Sequence, residues 1–349
     1  MQPRRLTWRN PVLSGALAAA VLAAPAARAA DLVIGAFGGI WEQSLRRCMI
    51  EPWSKATGKT ADVVLGTPTQ WLNQIAASQG GKPPLDIVYM PTESAYDAIG
   101  RKLIDRFTPA TVPNIGALQP QFAAMGDGYG APHNYGAMGI MYNSQTVKEP
   151  PRDWKGFVDG TLAGKWKATM PNINYPSAGF TVSVWWFAKL YGGGVDTIQP
   201  GLDQVKKMRD SGNLSFWSDP NAVLNGMKSG DLDMALYWDG RAYAFIDDGN
   251  GEFKYYSPAP GVVVAVTWIQ KVKGSSDLGY SFANYSLSKE AQSCFGSAIR
   301  YGVVNKDATF DPKIAHEITT SDVIVFPPYK EVVPLQNTWL ETWNKEIGR

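Results

Sequence analysis

From residue 31 to residue 101, short apolar runs alternate with longer stretches in which apolar residues recur at helical spacing. The short runs predict strands and the longer stretches predict helices, with glycine or proline between most of them. The predicted strands are residues 31–37, 61–65 and 85–90, and the predicted helices are residues 41–56, 69–79 and 93–101. Strands and helices that alternate through short links indicate a parallel sheet, whose ligands lie at the carboxyl ends of the strands.

A second series of the same pattern follows an extended segment. Residues 130–143 are apolar but broken by glycine, which favours an extended crossover between two halves of the molecule. The later α/β segments are residues 165–170, 180–190, 202–210, 222–229 and 234–238, then an apolar strand at 262–269, helices at 278–285 and 289–299, and a tail helix through Trp339 and Trp343. The sequence therefore predicts an α/β protein of two lobes, each a mainly parallel sheet flanked by helices, with a hinge between them.

The amino terminus has the composition of an export signal. Arg4, Arg5 and Arg9 precede an Ala- and Leu-rich run over residues 12–24, and Ala27 and Ala29 supply the small side chains of a cleavage site. Residues 1–30 are therefore predicted to be a secretory signal peptide, and the mature chain is expected in the periplasm. The apolar run is too short to span a membrane, so no membrane insertion is expected. Whether the arginine pair directs twin-arginine export stays open.

Size and charge narrow the class of protein further. Removal of the signal leaves roughly 320 residues, more than one core usually organises, so two lobes are the default expectation. The formal net charge is only +2 and no basic tract is present, which argues against nucleic acid as a partner. Cys48 and Cys294 are the only cysteines. In an oxidising compartment they can pair, but two buried thiols fit the sequence as well.

Residues that could carry catalysis or hold a metal are few. Only His133 and His316 exist, and no cluster has the spacing of metal ligands, so no cofactor and no metal are expected. Ser177 lacks the first glycine of a nucleophile elbow, so the protein is not expected to be an enzyme. Tyr255 and Tyr256 resemble the adjacent tyrosines of ferric-binding proteins. They lie in a strand-like run, however, where neighbouring side chains face opposite ways, and structural tyrosines are the favoured reading.

Aromatic residues stand where strands turn into helices. The chain has 13 tryptophans, and Trp41 and Trp238 each follow a predicted strand, at the edge where a ligand between the lobes would lie. Tyr175 and Tyr301 occupy comparable positions. A binding role is predicted for Trp41 and Trp238, with core packing as the alternative.

The chain resembles the spermidine/putrescine-type extracellular solute-binding proteins of ABC importers over nearly its whole mature length. The resembling residues are Gly38, Gly39 and Trp41, the run 86–92, Gly130, Pro132, Gly136, Tyr142, Asn143, Gly164, Lys165, Trp238, Gly240, the run 260–274 and Tyr301. The resemblance implies a hinge-closing fold in which lobe 1 is residues 31–136 and 266–314 and lobe 2 is residues 137–265 and 315–349. The crossovers are expected near residues 134–139 and 263–267.

The resemblance also implies a pocket between the lobes, formed by Trp41, Thr92 and Ser94 from lobe 1, Trp238 and Arg241 from lobe 2, and Tyr301. Together with the neighbouring polar and aromatic candidates, the full predicted ligand-binding set is Trp41, Thr92, Glu93, Ser94, Tyr175, Ser177, Thr181, Trp238, Asp239, Arg241 and Tyr301.

The acidic residues that polyamine binders place in this pocket are replaced in this chain. Ala178 and Thr181 stand at the acidic positions of the loop after Pro171, and Val264 and Val266 stand where the returning strand of the polyamine binders has Trp and Asp. Arg241 stands where an aspartate can occur in the polyamine binders. A guanidinium in a cleft favours a carboxylate, phosphonate or phosphate. We therefore expect a solute with at least one anionic group, and any amine on it would meet Glu93 or Asp239. The alternative is that Arg241 points outward from its helix or pairs with Asp239 or Asp247.

The predicted function is a monomeric periplasmic binding protein that captures a small organic solute and delivers it to the permease subunits of an ABC importer. Polyamine binding, ferric-ion capture and a periplasmic enzyme using the same cleft are the alternatives. A role in presenting solute to a chemoreceptor is compatible with the first.

Overall fold

A computed structural model describes residues 30–78, 81–320 and 322–348. The predicted signal peptide lies outside these residues, except for its last residue, Ala30. Within the described ranges the strands are β1 (Leu32–Ala36), β2 (Ala61–Leu65), β3 (Ile87–Pro91), β4 (Ala131–Asn143), β5 (Ala168–Pro171), β6 (Leu214–Trp217), β7 (Met234–Trp238), β8 (Phe253–Tyr256), β9 (Val262–Lys271), β10 (Gly302–Val303) and β11 (Ile324–Val325).

The helices alternate with these strands. They are α1 (Ile40–Leu45), α2 (Glu51–Thr57), α3 (Pro68–Ala77), α4 (Thr92–Gly100), α5 (Pro120–Ala123), α6 (Trp154–Leu162), α7 (Phe187–Leu190), α8 (Gln199–Asp210), α9 (Pro220–Ser229), α10 (Asp239–Asp247), α11 (Leu278–Ser286), α12 (Lys289–Ile299), α13 (Tyr329–Val332) and α14 (Gln336–Glu346). Two π-helical segments, Arg46–Ile50 and Gly179–Trp186, continue into α2 and α7 respectively.

Side-chain caps fix where several helices begin. At α3 the Thr67 hydroxyl accepts the backbone N–H of Gln70, and the Gln70 side chain accepts the N–H of Thr67, which satisfies two free donors of the first turn. At α9 the Asp219 carboxylate accepts the N–H of Asn221 at 2.9 Å. Both helices start directly after a strand, so their first turns lie at the carboxyl edge of the sheet.

One hydrogen-bonded sheet runs through both halves of the molecule, in the order β2-β1-β3-β9-β4-β7-β5-β6, with β8, β10 and β11 attached at its sides. The pairs β1/β2, β1/β3, β5/β6 and β5/β7 are parallel, as the alternation of strands and helices predicts. The two long strands β4 and β9 are antiparallel to each other and to β7 and β3 respectively. The predicted α/β class with flanking helices is therefore confirmed.

The long strands carry the passage from one half to the other. β9 pairs with β3 from Thr267 onward, and β4 pairs with β7 from Met138 onward. The two long strands pair with each other over residues 131–138 of β4 and 263–269 of β9. These changes of partner fall in the regions expected for the crossovers. We call the part of the sheet from β2 to β3 with its helices the first half, and the part from β7 to β6 the second half. The proposed lobe boundaries at residues 136, 265 and 314 stay a prediction.

A disulfide joins Cys48 in the first π-helical segment to Cys294 in α12, with the two Cα atoms 5.6 Å apart. The sequence left a disulfide and two free thiols open, and the structure has the disulfide. At the other end of the molecule, Trp339 and Trp343 of α14 are buried, and the ring of Trp343 contacts Phe216 at 5.1 Å between centroids. The tail helix thus packs on the second half.

Candidate ligand-binding site

Three strand ends meet at one edge of the second half. Because β5 is parallel to β6 and to β7, the loop 172–178 lies at the same edge of the sheet as Trp217 and Trp238, the last residues of β6 and β7. Tyr175 and Trp217 contact each other with 4.4 Å between ring centroids, and Tyr237 lies 6.0 Å from Trp217. The indole N–H of Trp238 donates to the Tyr175 hydroxyl at 3.1 Å. The strand ends thus form a connected aromatic cluster.

Arg241 stands in the first turn of α10, beside this cluster. Its side chain is exposed, and the phenol groups of Tyr175, Tyr237 and Tyr301 lie close enough to interact with it electrostatically. Among the described residues no carboxylate lies within ion-pairing distance of the guanidinium. Asp247 is paired with Arg300 instead. Arg241 is therefore a cation surrounded by neutral aromatic rings.

Tyr301 reaches this cluster because two glycines leave room for its ring. A Cβ atom at Gly240 would lie 2.5 Å from the ring, and one at Gly136 would lie 3.2 Å from it. The first distance is shorter than any ordinary contact, so a larger residue at position 240 would push the ring away. Gly136 is in β4 and Gly240 is the second residue of α10, so Tyr301 packs on the passage between the halves.

A cavity of about 560 Å³ lies between α3, α4 and the tail segment that begins at Lys330. Glu93 and Ser94, both predicted ligand residues, line it. Because α13 contacts both α4 and the π-helical segment 179–186, the cavity lies where the two halves meet. The remaining lining residues are Thr69, Leu72, Asn73, Tyr96, Asp97, Gly100, Arg101, Val333, Pro334 and Gln336.

Glu93 is the unpaired charge of this cavity. Burial raises the pKa of its carboxyl to about 7. Lys330 is paired with Asp127 at 3.5 Å, and Arg101 with Asp97 at 3.4 Å. Among the described residues no cation forms an ion pair with Glu93. The carboxyl therefore carries a desolvation cost that a cationic group in the cavity would offset.

Other predicted residues lie in different surroundings. Trp41 is only 8% exposed, and its ring packs against Tyr89 and Phe295 at 4.8 and 5.1 Å between centroids. Thr92 is buried, where its hydroxyl donates to the Val266 carbonyl and accepts the Trp268 indole N–H. Ligand contact by either residue stays a prediction, and the contacts described here are those of core residues.

Three further predicted residues stand near the aromatic cluster without joining it. Ser177 has a left-handed backbone with φ 66°, and its carbonyl accepts the hydroxyl of Thr181, which is fully buried. Asp239 is also fully buried, and it accepts the Thr319 hydroxyl at 2.7 Å. The structure therefore groups Tyr175, Trp238, Arg241 and Tyr301 at one place, and Glu93 and Ser94 at another.

Two members of the aromatic cluster were not predicted as ligand residues. Tyr237 precedes Trp238 in a strand, where alternation points the two side chains to opposite faces, so no pattern linked Tyr237 to the cleft. Trp217 ends β6, a four-residue strand that was not predicted. An aromatic residue followed by Ser218, Asp219 and Pro220 is a strand end before a capped helix, and that signal could have found it.

Tyr255 and Tyr256 bind different backbone groups. The Tyr255 hydroxyl donates to the Ala137 carbonyl and that of Tyr256 to the Pro151 carbonyl. No group of three or more His, Cys, Asp or Glu side chains that could hold a metal ion exists in the part of the chain that the structure describes. In the same part of the chain, none of the helices has both the length and the apolarity to cross a bilayer.

Comparisons with known proteins agree with this architecture. Residues 49–321 match the family model described as bacterial extracellular solute-binding protein. A structure described as an extracellular solute-binding protein from Bordetella parapertussis is 27% identical, covers 90% of this chain and 98% of its own, and superposes with a TM-score of 0.82. No curated protein sequence matches this chain.

Two more distant structures share the fold. An ABC transporter structure from Clostridium perfringens is 22% identical with a TM-score of 0.76, covering 90% of this chain and 99% of its own. A periplasmic binding protein from Agrobacterium tumefaciens R10, in complex with agropinic acid, is 17% identical with a TM-score of 0.69, covering 92% and 100%. Because the family model spans most of the chain, this protein belongs to the bacterial extracellular solute-binding proteins.

Proposed function

We propose that this protein is exported to the periplasm, binds a small anionic or zwitterionic solute between its halves, and delivers that solute to the permease of an ABC importer. The observation that carries the proposal is the environment of Arg241. It is an exposed guanidinium at the carboxyl edge of the sheet, close to three phenols and without a carboxylate partner among the described residues.

A guanidinium in this setting favours an anion of planar or tetrahedral shape. It presents paired N–H donors that match the two oxygens of a carboxylate or phosphate group. The rings of Tyr175 and Trp238 beside it provide apolar contact area at little entropic cost, and their polar atoms are already bonded to each other. An anion bound here would have its charge balanced by Arg241 and its carbon skeleton against the rings.

Glu93 supports the zwitterionic form of the proposal. The sequence offered Glu93 and Asp239 as partners for an amine, but Asp239 is buried against Thr319 and is closed to a ligand in this structure. Glu93 lines the cavity of about 560 Å³ and has no ion-pair partner among the described residues. An ammonium group on the solute would therefore be placed near α4, on the first half.

The same observations argue against a polyamine as the preferred solute. A fully cationic chain needs several carboxylates, since each desolvated ammonium group without a counter-charge is costly. Glu93 supplies one of them, and Arg241 would repel any cation placed beside the aromatic cluster. Spermidine and putrescine therefore enter the experiment as competitors of the proposed class.

The test begins with a thermal-shift screen over carboxylates, amino acids, phosphonates, phosphates, opines and polyamines. A ligand at 100 times its Kd stabilises a protein by about 2.7 kcal/mol, which such a screen detects. Calorimetry with the best anionic ligand then compares the wild type with Arg241→Gln. Loss of one partner of a desolvated charge pair should weaken binding by about 2–5 kcal/mol.

Arg46→Gln is the matched control, because Arg46 pairs with Glu42 on the surface of α1, and its loss should leave affinity unchanged. Tight binding of spermidine that survives Arg241→Gln, with no anion bound, would overturn the charge assignment and leave the transport function in place.

A further inference from the structure

Thr319 is a meeting point of three parts of the chain. Its hydroxyl donates to Asp239, the first residue of α10, at 2.7 Å. Its carbonyl accepts the hydroxyl of Tyr135 in β4 at 3.0 Å. Thr319 itself lies on the segment between β10 and β11. The buried residue Thr319 thus connects its own segment to α10 and to the long strand β4.

Asp239 holds the other end of this connection. Its carboxylate accepts the backbone N–H of Gly240 at 2.8 Å and that of Ala137 in β4, in addition to the Thr319 hydroxyl. The side chain has no solvent exposure. Burial raises the pKa of Asp239 to about 7, while the hydrogen bonds from Thr319, Gly240 and Ala137 act in the opposite direction. The ionised carboxylate therefore ties α10 directly to β4.

The far end of α10 is tied to the same segment. Arg300, which follows α12, pairs with Asp247 in the last turn of α10 and with Glu317 at 2.8 Å. Glu317 lies two residues before Thr319 and is only 5% exposed. Both ends of α10, the helix that carries Arg241, are therefore linked to residues 317–319. Its first residue is linked by the hydrogen bond of Asp239, and its last turn is linked by the ion pairs of Arg300.

The segment 315–320 has free space beside it. A cavity of about 230 Å³ lies against its residues Glu317 to Thr320, with Tyr243 of α10 and Tyr255 of β8 on the other side. A segment with a cavity on one side can shift more easily than one that is packed all round. The hydrogen bonds of Asp239 and Thr319 therefore resist such a shift together with the ion pair between Arg300 and Glu317.

We propose that Asp239 is a positioning residue of the hinge, which through Thr319 and Ala137 sets the arrangement of the two halves and the place of Arg241. The proposal goes beyond ligand charge, and only its effect on Arg241 depends on the proposed function. If the Asp239 side chain can accept fewer hydrogen bonds, one of the groups that donate to it loses its partner, and α10 is held less firmly to the hinge.

Protonation of Asp239 removes an acceptor as its mutation does, so a change of pH can test the role of this carboxylate. A protonated carboxyl has one acceptor fewer, so the tie weakens as the pH falls through about 7. The titratable groups that face Asp239 are the phenols of Tyr135, Tyr243, Tyr255 and Tyr301, whose pKa values are raised by burial and further by the charge of Asp239. None of these phenols ionises near neutral pH, and Arg241, two residues along α10, stays charged.

The test uses the whole ligand-free protein, so its outcome does not depend on the identity of the solute. Gln74→Cys on α3 and Lys206→Cys on α8, both exposed, carry spin labels on opposite halves, and the native disulfide is kept. Pulsed electron resonance gives the distance distribution between the labels from pH 5.5 to 8.5. In the wild type the distribution should broaden below a midpoint near pH 7, and in Asp239→Asn it should be broad at every pH.

Two variants of Thr319 test whether the transition follows the protonation of Asp239 and not a general loss of packing. Thr319→Val keeps the shape but removes a donor to the carboxylate, so the midpoint should move upward by about one pH unit. Thr319→Ser retains the hydroxyl and should restore the wild-type midpoint.

Two control variants test whether the transition comes from Asp239 and not from the loss of any buried hydroxyl or from the protonation of Glu93. Thr161→Val removes a buried hydroxyl of α6 that bonds Phe157 and Trp166, and it should leave the midpoint unchanged. Glu93→Gln removes the other carboxyl whose pKa is about 7, and the transition should persist.

A wild-type distribution that does not change with pH would overturn the proposal. So would a transition that persists in Asp239→Asn, or an equal midpoint in Thr319→Val and Thr319→Ser. If the hinge behaves as expected but no anion binds, the role of Asp239 stands and the proposed solute class fails.

Discussion

The two halves of the molecule present opposite charges where they meet, in different surroundings. On the second half, Arg241 is exposed beside aromatic rings and is ionised at any physiological pH. On the first half, Glu93 lines a cavity and burial brings its pKa to about 7. The aromatic side chains differ in the same way, since Trp41 packs within the first half while Tyr175 joins a cluster at a strand end. The charge that Arg241 presents should therefore stay constant near neutral pH, whereas the charge that Glu93 presents should change.

Trp41→Ala should have the largest effect, and on stability. The ring contacts Tyr89 and Phe295 inside the first half, and loss of a buried aromatic side chain costs about 3–5 kcal/mol. Urea unfolding measures it, with Ile40→Ala as control, because Ile40 is 62% exposed and should change stability little. A variant with native stability and lost affinity would show instead that Trp41 faces the solute.

Glu93→Gln should have an intermediate effect that depends on pH. At pH 8 an amine-bearing solute should bind about 1.5–3 kcal/mol less tightly to the variant, because a charged hydrogen-bond acceptor is lost. Wild-type affinity should fall as the pH drops through about 7, since Glu93 then takes up a proton, and the affinity of the variant should fall less over this range.

Calorimetry with the same solute lacking its amine is the control for Glu93, and it should show no difference between the two proteins. Equal affinities of wild type and variant for the amine-bearing solute at pH 8 would remove Glu93 from the site.

Glu93 should also act on the stability of the ligand-free protein. Its pKa in the folded state lies above that of an ordinary glutamate, so between about pH 4 and 7 the unfolded chain releases the proton first. The contribution of this group to the free energy of unfolding therefore falls as the pH rises over that window and is constant above it. Glu93→Gln should be stabilised relative to the wild type at pH 8 and not at pH 4.

Tyr175→Phe should have the smallest effect, about 0.5–1.5 kcal/mol of stability. The change keeps the contact with Trp217 but removes the hydroxyl that accepts the Trp238 indole N–H. Tyr191→Phe is the control, because the Tyr191 hydroxyl is buried without a hydrogen-bond partner in the described structure, and its removal should cost nothing. Thermal unfolding of both variants gives the comparison. Equal losses would mean that the bond to Trp238 contributes nothing.

The pattern of apolar residues predicted strands and helices most accurately where the flanking residues mark their ends. β2, β7 and α12 begin and end at the residues expected, since Gly66 follows β2, two aspartates flank the apolar run of β7, and Ser288 caps α12. α6 was missed because Gly156, Gly160 and Thr161 weaken its helical pattern, although Asp153 caps it. The antiparallel pairing of β4 and β9 depends on contacts between distant residues, which no local pattern contains.

The aromatic cluster was predictable as far as residue type and position at strand ends indicate it. Tyr175, Trp238 and Tyr301 were chosen on those grounds and Arg241 on the family resemblance, and the structure brings the four residues together. The sequence could not show that Asp239 points to Thr319, eighty residues away, or that Arg300 takes Asp247 and leaves Arg241 without an acid. Which acid pairs with which base is decided by tertiary packing.

The disulfide between Cys48 and Cys294 has a mechanical consequence. It closes a covalent loop with a sequence separation of 246 residues, and the whole second half of the sheet lies inside that loop. A force applied to the two chain ends passes through the disulfide and bypasses the loop, so the residues within it cannot be extended while the bond is intact. The disulfide keeps this loop closed in the unfolded chain as well, so the strands of the second half lose fewer conformations on folding than they would in an open chain.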